Sequence, residues 1–97
     1  MYYIIFIAGE KMGEILITFI KQSFAYKLKT MAKKYGISAK IVQTPKELSR
    51  GGCSYGILAR RTELEKLLWI CREYEIDYKR VLAIYMDING KKVYNEI

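Results

Sequence analysis

The sequence predicts an α+β fold of the ferredoxin-like split βαβ type (βαββαβ), with a C-terminal β-hairpin extension and an extra N-terminal strand-like segment. Three observations lead there. Short apolar runs of strand length are interspersed with two longer runs of helical period. Residues 33–42 echo residues 72–81 at a separation of 39, each copy reading as helix end, turn and strand start. A chain of 97 residues has room for one modest core rather than two domains.

Each element follows from local chemistry. Residues 2–7 and 15–20 are almost wholly apolar, matching buried strands in length. The first helix is capped by Ser23. Phe24, Leu28, Met31 and Tyr35 form its apolar stripe, Lys27, Lys29, Lys33 and Lys34 its polar side, and Gly36 the left-handed stop. Residues 39–43 read as a strand. Thr44-Pro45-Lys46-Glu47 combines an N-cap, a proline at N1 and a capping-box glutamate, predicting one helical turn up to Ser49. Gly51-Gly52 breaks the chain before a strand at 54–59. Thr62, with Glu65 as capping partner, opens a second helix whose stripe is Leu64, Leu67, Leu68 and Cys71, widened by Trp69 and Ile70. Residues 81–88 form a strand, Asn89-Gly90 is the dipeptide of a type I′ turn, and residues 91–94 return antiparallel.

Residues 1–11 do not fit the repeat. The first strand of a split βαβ sheet is central, so a preceding strand cannot simply pair beside it. Gly9-Glu10-Lys11-Met12 can also be encoded as a purine-rich ribosome-binding run ahead of a start codon. The expected organisation is a leader or peripheral edge strand at 1–11 and a single α+β domain at 12–97. A chain beginning at Met12 is expected to melt at a similar temperature.

Composition narrows the function classes. At 52% hydrophobic and 13% aromatic residues the chain is not disordered. With no histidine it lacks the Ser-His and Cys-His nucleophile pairs, and its two cysteines cannot alone build a zinc site. No metal site and no cofactor are expected. Two thiols are not a disulfide framework, which points to a reducing, cytoplasmic compartment. The opening apolar run is too short for a membrane span. Seventeen Lys and Arg against ten Asp and Glu give +7, which favours acidic partners without choosing among them.

The stretch that carries chemistry is Thr44-Pro45-Lys46-Glu47-Leu48-Ser49-Arg50-Gly51-Gly52-Cys53-Ser54. Cys53 follows two glycines at the entrance to a strand, with little bulk around it, and is expected to be exposed. Lys46, Arg50 and Arg60, and beside the last Arg61, lie near it in sequence; those that lie near in space would favour the thiolate, the reactive form. Cys71, on a leucine stripe, reads as a buried structural thiol, and no Cys53-Cys71 disulfide is expected.

This stretch, with Ile15-Leu16-Ile17-Thr18-Phe19 and Tyr35-Gly36-Ile37 around it, resembles the sulfur/selenium carrier-like family over about residues 15–85. Pro45, Glu47, Leu48, Ser49 and Cys53 match the family pattern. Ser54-Tyr55 stands where glycine is usual, and the basic Arg60 comes later than usual. The resemblance implies a non-enzymatic carrier that holds a persulfide or selenosulfide on Cys53, supported by the loop Ser49, Arg50, Gly51, Gly52 and Ser54. It implies a protein donor, such as a cysteine desulfurase, and an acceptor. Two rival readings come from other classes. A basic βαββαβ sheet is also the architecture of RRM nucleic-acid-binding modules, and Ser54-Tyr55-Gly56-Ile57-Leu58 is a faint version of their third-strand motif. Tyr and Ile richness suits a structural or regulatory domain that self-associates into a homo-oligomer.

Overall fold

The computed structural model describes residues 13–45 and 55–97. Its elements are β1 (Glu14–Phe19), α1 (Gln22–Lys34), β2 (Lys40–Gln43), β3 (Tyr55–Arg60), a 3-10 turn (Arg61–Glu63), α2 (Leu64–Glu73), β4 (Arg80–Met86) and β5 (Lys92–Glu96). Among the described residues the strands form one five-stranded sheet in the order β2-β3-β1-β4-β5, every neighbouring pair antiparallel. The described residues are therefore α+β, with two helices and an antiparallel sheet, and their strand order is consistent with the ferredoxin-like arrangement. The expected C-terminal hairpin is present as β4 and β5, extending one edge.

β1 lies in the middle, bonded to β3 on one side and β4 on the other. A strand covered on both faces needs apolar side chains at successive positions, which is why its sequence shows no alternation. All of its residues after Glu14 are buried. Ile15, Ile17 and Phe19 face the helices and meet Ala25, Leu28 and Ala32 of α1 and Leu67, Ile70 and Cys71 of α2 in the main core. On the opposite face Leu16, Leu82 and Ile84 form a second cluster, joined by Val42, Leu58 and Tyr94.

Both helix stripes are centred differently from the sequence expectation. In α1 the fully buried positions are Ala25, Leu28 and Ala32, with Phe24 and Met31 flanking them and Tyr35 at the exposed end. Alanines at the seam let the helix approach the sheet closely, and the bulkier side chains fill the margins. In α2 the centre is Leu67, Ile70 and Cys71, while Leu64 and Leu68 are half-buried. Neither expected cap forms. The Phe24 amide already donates to the Lys21 carbonyl at 3.2 Å, so Ser23 sits inside the first turn. The Arg61 amide donates to the Gly13 carbonyl at 3.0 Å, prolonging the β1–β3 ladder. The chain then makes the 3-10 turn that contains Thr62, before the α-helix starts at Leu64.

The 39-residue echo is a repeated helix stop. After α1, the Gly36 amide donates to the Lys33 carbonyl at 3.1 Å and the Ile37 amide to the Ala32 carbonyl at 2.9 Å, with Gly36 at φ +77°. This is a Schellman closure, which needs a left-handed residue at its turning point. After α2, the Ile76 amide donates to the Cys71 carbonyl at 2.8 Å, and the left-handed position is held by Glu75 at φ +54°. Ile37 and Ile76 both drop into the core.

The β4–β5 turn departs from type I′. That turn needs positive φ at two residues, and only Gly90 has it, at +80°. Asp87 takes control instead. Its Oδ1 accepts from the Asn89 amide at 2.9 Å and the Lys91 amide at 2.8 Å, making a three-residue loop closed by the Asp87 amide on the Lys91 carbonyl. β4 accordingly ends at Met86, leaving Ile88 in the loop and exposed.

Candidate functional site

Lys46, Ser49, Arg50, Gly51, Gly52, Cys53 and Ser54 lie outside the described residues, as do residues 1–12 and the helical turn expected up to Ser49. The strands on either side fix where the loop leaves and returns. It departs after β2 and rejoins the sheet at Tyr55, which pairs with Gln43 and with Phe19. The described chain therefore leaves and re-enters the sheet at the end where β1 stops and β3 starts.

The same end carries a set of groups that sequence spacing did not bring together. β1 runs from Phe19 through Ile20 and Lys21 straight into α1, whose first turn holds no acidic residue. A helix N-terminus carries partial positive charge, and Lys21 adds a full one beside it. β4 enters here as well, its approach fixed by the Lys79 amide donating to the Thr18 carbonyl at 2.7 Å. Ile20, Lys21, Phe24, Asp77, Tyr78 and Lys79 line a recess of about 230 Å³. The C-terminus of α2 also ends nearby, and its partial negative charge is met by Lys27, whose Nζ donates to the Tyr74 carbonyl at 3.0 Å. Following the split βαβ order, which sets the end of β1 beside the start of β3, would have marked Lys21 in advance.

Arg60 lies elsewhere. It pairs with Glu14 at the other end of β3, five residues from Tyr55 and so about 17 Å along the strand. Arg61, also at that far end, is half-buried and donates to the Tyr85 hydroxyl at 3.4 Å.

Thr44 is 5% exposed at the mouth of the loop, and its Oγ1 has no hydrogen-bond partner among the described residues. The sequence assigns that hydroxyl to capping the turn that follows. Cys71 is 3% exposed, and burial pushes its thiol up to about 11, so at neutral pH it is a protonated, inert core group.

A family model described as Se/S carrier protein-like matches residues 14–83. The chain belongs to this family. The match begins with β1 and ends within β4, so it takes in both helices, the residues of the Cys53 loop and both cysteines, and leaves β5 outside. No curated protein and no solved structure matches the chain. In this carrier-like chain no described helix is long and apolar enough to cross a membrane.

Proposed function

We propose that the protein carries sulfur or selenium on Cys53, on a ferredoxin-like scaffold, receiving it from a protein donor and passing it to an acceptor. The family match carries the reading, because its span includes Cys53 while the other cysteine in the span, Cys71, is shut into the core. The exchange needs neither oxidant nor general base. The Cys53 thiolate, its proton already lost to solvent, attacks the terminal sulfur of a donor persulfide. A new S–S bond forms on Cys53, the donor's S–S bond breaks, and the donor leaves as a thiolate with the bonding pair. An acceptor nucleophile then attacks the outer sulfur and releases the Cys53 thiolate. A selenosulfide follows the same balance, with selenium as the outer atom.

The thiolate draws on Lys46 and Arg50 within the loop and on the N-terminus of α1 with Lys21. Arg60 contributes least, being anchored at the far end of β3. A donor such as a cysteine desulfurase and a cytoplasmic setting suit this chemistry, since a reducing compartment keeps both thiols free.

One observation weighs against the nucleic-acid reading. RRM modules stack bases on aromatic side chains of the helix-free sheet face. Here the central strands present Leu16, Thr18, Gly56 and Leu58 on that face, and Tyr55 packs toward the helix-side core.

Incubation with a cysteine desulfurase and cysteine, followed by mass spectrometric mapping, tests the proposal. The expected result is a one-sulfur gain on the peptide containing Cys53, absent from Cys53→Ser. No gain, or a gain on Cys71, would overturn it.

A further inference from the structure

The positive charge of the chain is concentrated in one stretch. Residues 15–45 hold six lysines and no Asp or Glu, whereas the rest of the chain holds eleven Lys and Arg against ten Asp and Glu. Four of the six, Lys27, Lys29, Lys33 and Lys34, lie on α1, and all four are exposed. Lys27 donates to a backbone carbonyl, and none of the four pairs with a carboxylate among the described residues. On α2, by contrast, the exposed Glu65, Lys66, Arg72 and Glu73 balance in sign. Helix stability does not ask for the α1 pattern. Lys33 and Lys34 suit the negative end of the helix dipole, but Lys21 stands beside the positive end with no acidic residue in the first turn, and Lys29 repels Lys33 one turn away. The stretches outside the described residues do not hold the complement either: residues 1–12 contain one Glu and one Lys, and residues 46–54 one Glu with Lys46 and Arg50.

Gln22, Tyr26, Lys29 and Lys33, at i, i+4, i+7 and i+11, make one row along an exposed side of α1, clear of the buried Ala25, Leu28 and Ala32. Tyr26 is 49% exposed. Lys29 and Lys33 also line a recess of about 420 Å³, completed by residues 36–39. We propose that this row is the docking surface for an acidic face of a partner protein, with Tyr26 as the apolar anchor and partner carboxylates seated at Lys29 and Lys33. The tyrosine ring supplies rigid contact area, and the charges around it steer the encounter and set its register. A protein fits better than a nucleic acid. The positive charges of the stretch are all lysines, without the guanidinium fork that holds phosphates and base edges by two bonds, and the row is a convex helix side with one ring rather than a groove lined by several. This inference stands apart from the carrier reading, since it needs neither cysteine.

NMR titration of the full isotope-labelled chain at physiological salt tests it, with a helical peptide that carries glutamates on either side of a leucine stripe. Shifts are expected at Tyr26, Lys29 and Lys33. Lys29→Glu/Lys33→Glu should weaken binding about tenfold or more and Tyr26→Ala several-fold, while Lys91→Glu/Lys92→Glu, the same change of net charge on the β4–β5 hairpin, should weaken it less than about twofold. No binding, shifts confined to other elements, or equal loss in the two charge reversals would overturn the proposal. So would tighter binding at this row of oligouridylate, of phosphatidylglycerol vesicles or of a second copy of the chain. Helical circular dichroism checks each variant, and if Lys29→Glu/Lys33→Glu unfolds, Lys29→Gln/Lys33→Gln takes its place against Lys91→Gln/Lys92→Gln.

Discussion

Glu75 is the residue that breaks the local rules most plainly. It takes the left-handed position that Gly36 takes in the other half of the repeat, at φ +54°. That conformation costs an L-residue about 1–2 kcal/mol, so Glu75→Gly should stabilise the fold by about 1 kcal/mol, seen as a higher urea midpoint. Cys71 offers a second test. Cys71→Ser puts a hydroxyl among Leu67, Ile70 and Ile76 and should cost about 1–3 kcal/mol, with Cys53→Ser costing much less. The Cys71 thiol also predicts a pH dependence. Its folded value lies above that of a free thiol, so the stability it contributes is complete below about pH 8.5 and is lost as pH rises toward 11. Urea midpoints should fall across that window less steeply in Cys71→Ala than in the unaltered protein. The thiol at Cys53 should titrate below about 8.5 in a rate assay with a thiol probe. Its midpoint should rise in Lys46→Gln/Arg50→Gln and stay put in Arg60→Gln.

Among the elements, β3 is the least forgiving. Gly56 pairs with Thr18, and a Cβ placed on it would come within 2.7 Å of Leu16 Cδ1 and 3.2 Å of the Ile17 carbonyl oxygen. Leu16 is almost fully buried and has little room to yield. Gly56→Ala should therefore lower stability by about 1–3 kcal/mol in chemical denaturation, whereas at Gly90 the added methyl meets open space and the cost is that of the backbone alone. Element type and order were legible in the sequence because they rest on period and punctuation: the unbroken apolar run of β1, the leucine spacing of α2, glycine at 36. The caps and stripe centres were not. Ser23 and Thr62 have the right chemistry for an N-cap, but where a helix begins was decided by backbone bonds at Lys21 and Gly13 that no local pattern encodes. The alanines at the α1 seam were passed over for the same reason: hydrophobic weight favoured Phe24 and Met31, and closeness of approach favoured Ala25 and Ala32. Cys53 was singled out in the sequence by its glycines and lies outside the described residues. The groups gathered where β1 ends and β3 starts needed the strand order, and Arg60, near Cys53 in sequence, is carried to the other end by the length of β3.

In the whole molecule the two halves of the repeat are interleaved rather than side by side. β1 belongs to the first half but bonds β3 and β4 of the second, and the Tyr35 and Tyr74 hydroxyls join the two helix ends at 2.8 Å, with Trp69 edge-on to Tyr35 at 5.6 Å. Neither half can open without breaking the central strand, so urea unfolding followed by far-UV circular dichroism and by Trp69 fluorescence should superimpose. β5 is the exception: among the described strands it is hydrogen-bonded only to β4, with Glu96 paired to Arg80 of that strand at 3.2 Å, and its amides should exchange with solvent first. The outer strands have one more consequence. Among the described strands β2 and β5 are the outermost; β2 is only four residues long and begins with Lys40, and β5 carries Lys92, Asn95 and Glu96 along its length. Such rims make poor templates for another copy's strand, because pairing would bury charge and leave little ladder to gain. A chain more than half hydrophobic is in this way guarded against fibre growth at the margins of its sheet, and concentrated solutions should stay clear of cross-β aggregates.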